Sequence, residues 1–503
     1  MDVTGILLAT IIIILAIAYY VHHHFGKTQK MLYYAAKLDG PRGLPLIGSA
    51  FYLLGSNTTV AKNVIYLAKK FKSPWKLWLG TGLYVVVTRP EDVEIVLNQA
   101  LSKARNYKFT KPILEEGLFT APVEKWKRHK KVISSTFSMP ILNNFVKVFS
   151  AHSLKLVERL EEFAGKDKFD VFPFMNKSAV EITCETAMGK NINENSKNFD
   201  YGQCLTKAMT LVFTRLFQLW MYPSFIWNLT SHSVILKKLS KDLHDFVAKI
   251  VSDKQIEYRL HQDEYCEESV KRKCFLDHLI ELSETSEHWP DHELMEEAQT
   301  MVAAGSESMG STLSFVLMMV GMHPEVQEKV YEEIDSVFGQ SRRDISCEDL
   351  PRLVYLERVV KETLRLFPVA ACLGRLLDKD IVTSNYTLPK GCECLIPIMY
   401  IHRDPNIWEH PLEFNPDRFL PEEVSKRHPY SYLPFSGGPR SCIGFKYAMM
   451  AMKTAICTVV RHYKVSTELK SLTDVDFVPG VVLKPSRGYR IGLQRRDFGV
   501  WKN

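Results

Sequence analysis

Residues 435–444 read Phe-Ser-Gly-Gly-Pro-Arg-Ser-Cys-Ile-Gly, the stretch of the 503-residue chain that most restricts its own folding. Gly437, Gly438 and Pro439 exclude a regular helix or strand, so Cys442 is presented from a shaped loop. The residues from Phe445 to Arg461 then carry a helical pattern, and amides at the start of a helix favour a negative thiolate. Arg440 supplies a cation two residues before the cysteine. Such a thiolate suits a soft metal or a nucleophile. A nucleophile needs a base and an oxyanion site, and no nearby histidine fits, since His428 lies well upstream. One thiolate without other local ligands suits an iron whose remaining positions are filled by a porphyrin.

Helical periodicity dominates the rest of the chain, notably over 232–258, 291–322 and 323–339, with strand-like runs near 76–88, 380–398 and 475–494. The expectation is a mostly helical α+β body with small peripheral sheets. An apolar run over 3–21, containing Ile11 to Leu15, is just long enough as a helix to span a bilayer core of roughly 30 Å. Asp2 precedes it, and Lys27 and Lys30 follow it. That charge pattern favours an uncleaved anchor with the body on the cytosolic side over a cleaved signal peptide. Residues 1–30 are thus expected to form an anchor with a basic flank. Residues 31–48, with Gly40-Pro41-Arg42-Gly43-Leu44-Pro45, form a stiff connector, and 49–503 one catalytic body.

Ten cysteines without a repeating spacing fit buried thiols in a reducing compartment better than a disulfide framework. Cys392 and Cys394 have no second ligand pair at a suitable distance for zinc. A net charge of +7 is too small and dispersed to indicate nucleic acid.

Three further motifs have bland readings when taken alone. Glu362 and Arg365 lie at i, i+3 on an amphipathic helix, the spacing of a solvent salt bridge. Ala303-Ala304-Gly305-Ser306-Glu307-Ser308 interrupts the 291–322 helix with small residues. A helical Gly costs roughly 1 kcal/mol against Ala, so packing or a recess must favour it, and Ser308 is able to bond back to its own helix. Glu124-Lys125-Trp126-Lys127-Arg128-His129-Lys130-Lys131 reads as a solvated basic face with one tryptophan.

Taken together, these segments resemble the cytochrome P-450 superfamily. Trp126-Lys127-Arg128-His129, Cys184-Glu185-Thr186-Ala187-Met188-Gly189 and Phe435 to Arg440 look most like the animal clan that includes the fatty-acid ω-hydroxylases, with an overall pattern nearest its insect members. The resemblance covers residue 40 to the end and implies the P-450 fold and a haem b cofactor. Cys442 would be the axial iron ligand, with Phe435 packed near the sulfur. Arg440, Trp126, Lys130 and Arg375 would face the haem propionates, and Glu362, Arg365 and Arg418 would form a buried structural triad. Ala304 and Gly305 would border the oxygen site, with Glu307 and Ser308 as the proton relay.

Three positions depart from the family pattern. Lys130 replaces an arginine and loses its bidentate fork, Ser308 replaces a threonine but keeps the hydroxyl, and Ala304 stands where many vertebrate ω-hydroxylases carry a haem-bonding glutamate. The haem is therefore expected to be held non-covalently. The implied activity is monooxygenation of a lipophilic substrate (a fatty acid, hormone-like lipid, hydrocarbon or foreign compound). The partners would be O2, NADPH-cytochrome reductase and cytochrome b5 at the endoplasmic reticulum membrane. The basic residues at 127–131, with Lys446, would face an acidic reductase. The competing readings are a haem-thiolate isomerase or dehydratase, and a lipophile-binding relative without catalysis. The pocket is expected from 107–121, 205–230, Ala303, Ala304, the loop after Phe367-Pro368, and Val481-Val482. Phe213, Phe217, Trp220 and Trp227 would line an entrance or lie in the core.

Overall fold

The computed structural model describes residues 29–496, apart from 45–46, 56, 81, 192–198, 261–273, 284–288, 342, 476 and 479–482. The apolar run at 3–21 and the Val481-Val482 pair therefore lie outside the described residues. Among the described residues no helix is long and apolar enough to cross a membrane.

The helices that position the site are α1 (Val123–Ile133), α2 (Met139–Leu160), α3 (Phe172–Met188), α4 (Tyr201–Phe217), α5 (Ser231–Leu260), α6 (Asp291–Met322), α7 (Pro324–Phe338), α8 (Val354–Leu366) and α9 (Phe445–His462). The three long helical patterns of the sequence correspond to α5, α6 and α7 within one or two residues at each end. α6 starts after Pro290 with Asp291 and Glu293 in its first turn, where the free amides favour acids. It stops at His323, where Pro324 opens α7 at a position that has no intrahelical N–H partner to lose.

α3 and α6 cross at the centre of the body, and two glycines set how closely. A Cβ on Gly305 would lie 2.8 Å from Thr183 Cγ2, and one on Gly310 2.8 Å from Asn176 Cα. A side chain at Gly310 would press on the α3 backbone, and one at Gly305 would need the buried Thr183 side chain to shift. The helical cost of Gly305 is thus offset by packing against Thr183, an account the sequence allowed alongside an oxygen recess. Around this crossing, Leu142, Phe149, Met175, Leu313, Leu364 and Ile456 from five helices are fully or nearly fully buried in one core. Each buried aliphatic or aromatic side chain of this size contributes about 1.5–3 kcal/mol.

The small sheets lie outside this helical centre. Their strands are β1 (Trp75–Leu79), β2 (Gly82–Val86), β3 (Ser102–Lys103), β4 (Phe169–Asp170), β5 (Leu373–Leu376), β6 (Ile381–Val382), β7 (Thr387–Leu388), β8 (Glu393–Ile396), β9 (Tyr463–Ser466), β10 (Phe477–Val478), β11 (Lys484–Pro485) and β12 (Arg490–Arg495). The largest sheet has the order β1-β2-β8-β5-β3. Its antiparallel β3–β5 edge pairs Ser102 with Leu376 and Lys103 with Arg375. The segment expected as a connector touches β1 at both ends of the strand, where Lys76 N donates to Asp39 O at 2.8 Å and Gly48 bridges to Leu79. The mostly helical body with small sheets is as expected.

Candidate active site

The loop before α9 is closed by its own backbone. Cys442 N donates to Phe435 O at 2.9 Å, Ser441 N to Gly438 O at 3.1 Å, and Ser436 N to Leu433 O at 3.0 Å. Gly438 has φ +66°, and a Cβ there would lie 2.6 Å from Leu97 O. Only glycine combines that backbone with that approach. The Phe435 and Phe445 rings meet edge to face at 5.4 Å on either side of the cysteine. Burial pushes the Cys442 thiol up while the Gly444 amide pulls it back. Although enclosed by protein, the residue keeps accessible surface, so it faces a recess inside the body.

Behind the loop, the structure brings Glu362, Arg365 and Arg418 together. Arg365 Nε and Nη2 donate to the two Glu362 oxygens at 2.7 and 2.8 Å, and both side chains are fully buried. The remaining donors of Arg365 reach His402 O and Pro411 O at 2.8 Å and Glu413 O at 3.0 Å. The solvent salt bridge that bare spacing allowed is therefore excluded. Arg418 is held more loosely. Its Nε lies 3.5 Å from Glu362 Oε1 without a hydrogen bond, and its Nη2 donates to His410 O at 2.9 Å.

On α6, Met301, Ala304, Gly305 and Ser308 form the less buried stripe of an otherwise buried stretch. Ser308 Oγ donates to Ala304 O at 2.6 Å. The Glu307 carboxylate is buried and accepts from Lys484 Nζ at 2.7 Å. Lys484 is on β11 and also lies 4.4 Å from the centre of the Phe172 ring. Acid and alcohol are adjacent in the chain but bonded in different directions.

Four cations gather from the β3–β5 edge, the cysteine loop and the last turn of α1. Arg440 donates to Leu101 O at 3.1 Å and Ala121 O at 2.9 Å. Its centre lies 4.2 Å from the Trp126 ring, and burial holds its pKa down to about 10. Lys130 reaches Pro439 O and lies 5.4 Å from the other contact of that cluster, the Trp126 ring. Arg375 is fully buried with Nε and Nη2 unpartnered. Lys103 sits between the rings of Tyr107 and Phe119 at 4.9 and 4.7 Å. Burial, then Arg375 and Arg440, push its pKa well below the ordinary lysine value.

Among the described residues no carboxylate lies within ion-pair distance of these four, whereas neighbouring Arg105 is paired with Glu393 at 3.1 Å. Like charges facing each other across strands destabilise a sheet, and an unpaired buried guanidinium is costly. Such a cluster is built for an anion. With an inward-facing cysteine and unpartnered guanidinium donors, these residues fit a haem bearing two propionates. Lys103 was not anticipated from the sequence: it belongs to no motif, and only the β3–β5 register places it beside Arg375.

The basic stretch 124–131 is divided: Trp126 and His129 are buried, Lys125 and Lys130 half-buried, and Glu124, Lys127, Arg128 and Lys131 exposed. Lys125 bonds Glu296 at 2.5 Å, Arg128 bonds Glu293 at 2.7 Å, and buried His129 meets Glu297 at 2.6 Å, so these residues fasten α1 to α6. Lys127 pairs with Glu124 at 3.1 Å, which leaves Lys131 and Lys446 among the exposed cations. The aromatic stretch divides, with Phe213 and Trp227 buried and Trp220 exposed.

Comparison with known proteins agrees with this geometry. A family model described as Cytochrome P450 matches residues 38–491. Cytochrome P450 4V2 of Mus musculus is 34% identical over 467 residues, covering 90% of this chain and 89% of the relative. Cytochrome P450 4c21 of Blattella germanica is 34% identical over 507 residues, covering 99% of this chain and all of the relative. Cytochrome P450 4c3 of Drosophila melanogaster is 30% identical over 514 residues, covering 98% and 95%.

Proposed function

The chain belongs to the cytochrome P450 family of haem b monooxygenases, and on that premise we propose that it oxygenates a lipophilic substrate with electrons from NADPH delivered by a membrane reductase. The observation that carries this reading is the combination of a loop-borne Cys442 that keeps accessible surface with a cluster of cations that has no carboxylate partner among the described residues. Cys442 would supply the thiolate that holds the iron, and Arg375, Arg440, Lys130 and Trp126 would hold the propionate edge. A haem-thiolate centre supplies the chemistry of O–O cleavage. The protein has to hold that centre, exclude water and deliver protons.

Glu307 and Ser308 are the proposed proton relay. Glu307 is kept at the site by Lys484, while Ser308 is held against its own helix and turns its hydroxyl outward when the relay is used. The presence of the pair favours oxygenation over isomerase or dehydratase chemistry, which can dispense with proton delivery. Ala304 carries no carboxylate to bond the haem, so the cofactor is held by Cys442, the cations and packing alone. The run over 3–21 and the basic residues after it support an anchor in the endoplasmic reticulum membrane, with the catalytic body on the cytosolic side. Cytochrome b5 is the proposed second electron donor. The narrow basic face left by Lys131 and Lys446 is the proposed meeting place with an acidic partner.

Single-turnover product analysis with an 18O2 atmosphere tests the oxygenase reading. One 18O atom per product molecule is expected. Products that carry no label, formed without reductant from a peroxide substrate, would favour the isomerase class instead.

A further inference from the structure

His402 joins the two halves of the cysteine-side scaffold. The residue is fully buried and its ring makes two bonds. Nδ1 lies 3.2 Å from Arg365 O, and Nε2 lies 2.7 Å from Leu433 N. A carbonyl accepts and an amide N–H donates, so the ring carries its proton on Nδ1 and accepts at Nε2. Only the neutral form with that tautomer satisfies both partners. Burial and the nearby Arg365 and Arg403 guanidinium groups oppose a second proton. The Tyr432 ring stacks on the imidazole at 5.2 Å, and its hydroxyl donates to Lys361 O at 2.8 Å, which fixes the plane in which His402 bonds.

The two partners occupy particular places. Arg365 O is among the last carbonyls of α8, which have no partner within the helix. Leu433 opens the cysteine loop: its carbonyl accepts from Ser436 N at 3.0 Å, and two residues on, Phe435 O accepts from Cys442 N at 2.9 Å. Arg365 Nη1 also donates to His402 O at 2.8 Å. One side chain therefore connects the Glu362–Arg365 pair to the segment that sets the position of the sulfur.

We propose that His402 is a positioning residue for the Cys442 thiolate, acting through the Leu433 amide. It holds the start of the cysteine loop against the end of α8 and so keeps the sulfur in ligating position. This rests on the haem-thiolate reading above and assigns no contact between His402 and the cofactor.

The test uses full-length holoenzyme and three substitutions. His402→Gln keeps an acceptor near the Nε2 position, His402→Asn keeps a donor near Nδ1, and His402→Phe removes both. The first readout is hydrogen exchange at the Leu433 amide. The second is the rate at which the reduced carbon-monoxide complex loses its thiolate-type Soret band in mild denaturant. In the Asn and Phe variants Leu433 exchange should accelerate at least about tenfold, the effect of leaving one buried amide unpaired, and band loss should quicken with it. The Gln variant should stay near wild type in both. Equal loss in the Gln and Asn variants would reduce His402 to core packing and overturn the proposal, as would unchanged exchange and band in the Asn variant. If the Phe variant fails to fold, the Gln and Asn pair still decides. A wild-type enzyme without the thiolate-type band would instead overturn the haem-thiolate reading itself.

Discussion

Around Cys442 the backbone of the loop and the Arg365 and His402 side chains of its scaffold are bonded in ways that hold the loop, whereas on the less buried stripe of α6 Glu307 and Ser308 are each bonded elsewhere. Arg365 distributes its donors over Glu362 and three backbone carbonyls, and His402 ties α8 to Leu433. Glu307, by contrast, is occupied by Lys484, and Ser308 by Ala304 O. On the cysteine side the bonds that hold the loop are already made, with the Arg418 Nε and Ser436 Oγ left over. In the proposed relay, the α6 side is held in a resting arrangement that has to change for a proton to pass. Substitutions on the first side should therefore be read in stability and spectrum, and those on the second in coupling.

Arg365→Ala attacks that comparison hardest. It strips the buried Glu362 carboxylate of its two-bond partner, leaving only the Asn415 amide and the looser Arg418, which should cost about 3 kcal/mol in denaturant unfolding, with loss of haem. A cost below 1 kcal/mol would mean that the cysteine side is not preorganised by this pair. Acid should weaken the same side. The His402 pKa is lowered to about 3 in the folded protein, against about 6.5 when unfolded. A depressed histidine contributes stability above its unfolded value and loses it as pH falls toward the folded one. Between about 6.5 and 3, stability should decline by up to about 1.4 kcal/mol per pH unit from this group, and His402→Gln should flatten that slope.

On the α6 side, Glu307→Gln should leave the melting temperature almost unchanged while raising peroxide released per NADPH consumed by at least about tenfold, the scale of a lost proton-transfer group. Unchanged coupling would remove Glu307 from the relay. Ser308→Ala should uncouple less, because the hydroxyl already spends its hydrogen bond on Ala304 O, and should move stability by no more than about 1 kcal/mol. Lys130→Arg is the mildest change. It adds a fork at the propionate edge and should slow haem transfer to an acceptor globin slightly, with no effect on coupling.

How much of this was legible in the sequence depended on whether a residue's role is local. The cysteine loop could be read because glycine, proline and cysteine act on their own backbone. α5, α6 and α7 could be read because their periodicity is long. Gly305 was harder, since its reason is Thr183 on another helix. Lys103, His402 and Lys484 were invisible: each owes its role to a partner 31 or more residues away in the chain, brought near by strand register or by the meeting of α8 with the cysteine loop. The basic stretch 124–131 looked solvated because the acids that pair with it lie on α6.

Cys442 as the proposed iron ligand is the premise on which both sides of the site rest. The direct measurement is the carbon-monoxide difference spectrum of the reduced full-length protein beside that of Cys442→Ala. A thiolate-type Soret band in the wild type, abolished in the variant, is the predicted result. The same band persisting in Cys442→Ala would contradict it.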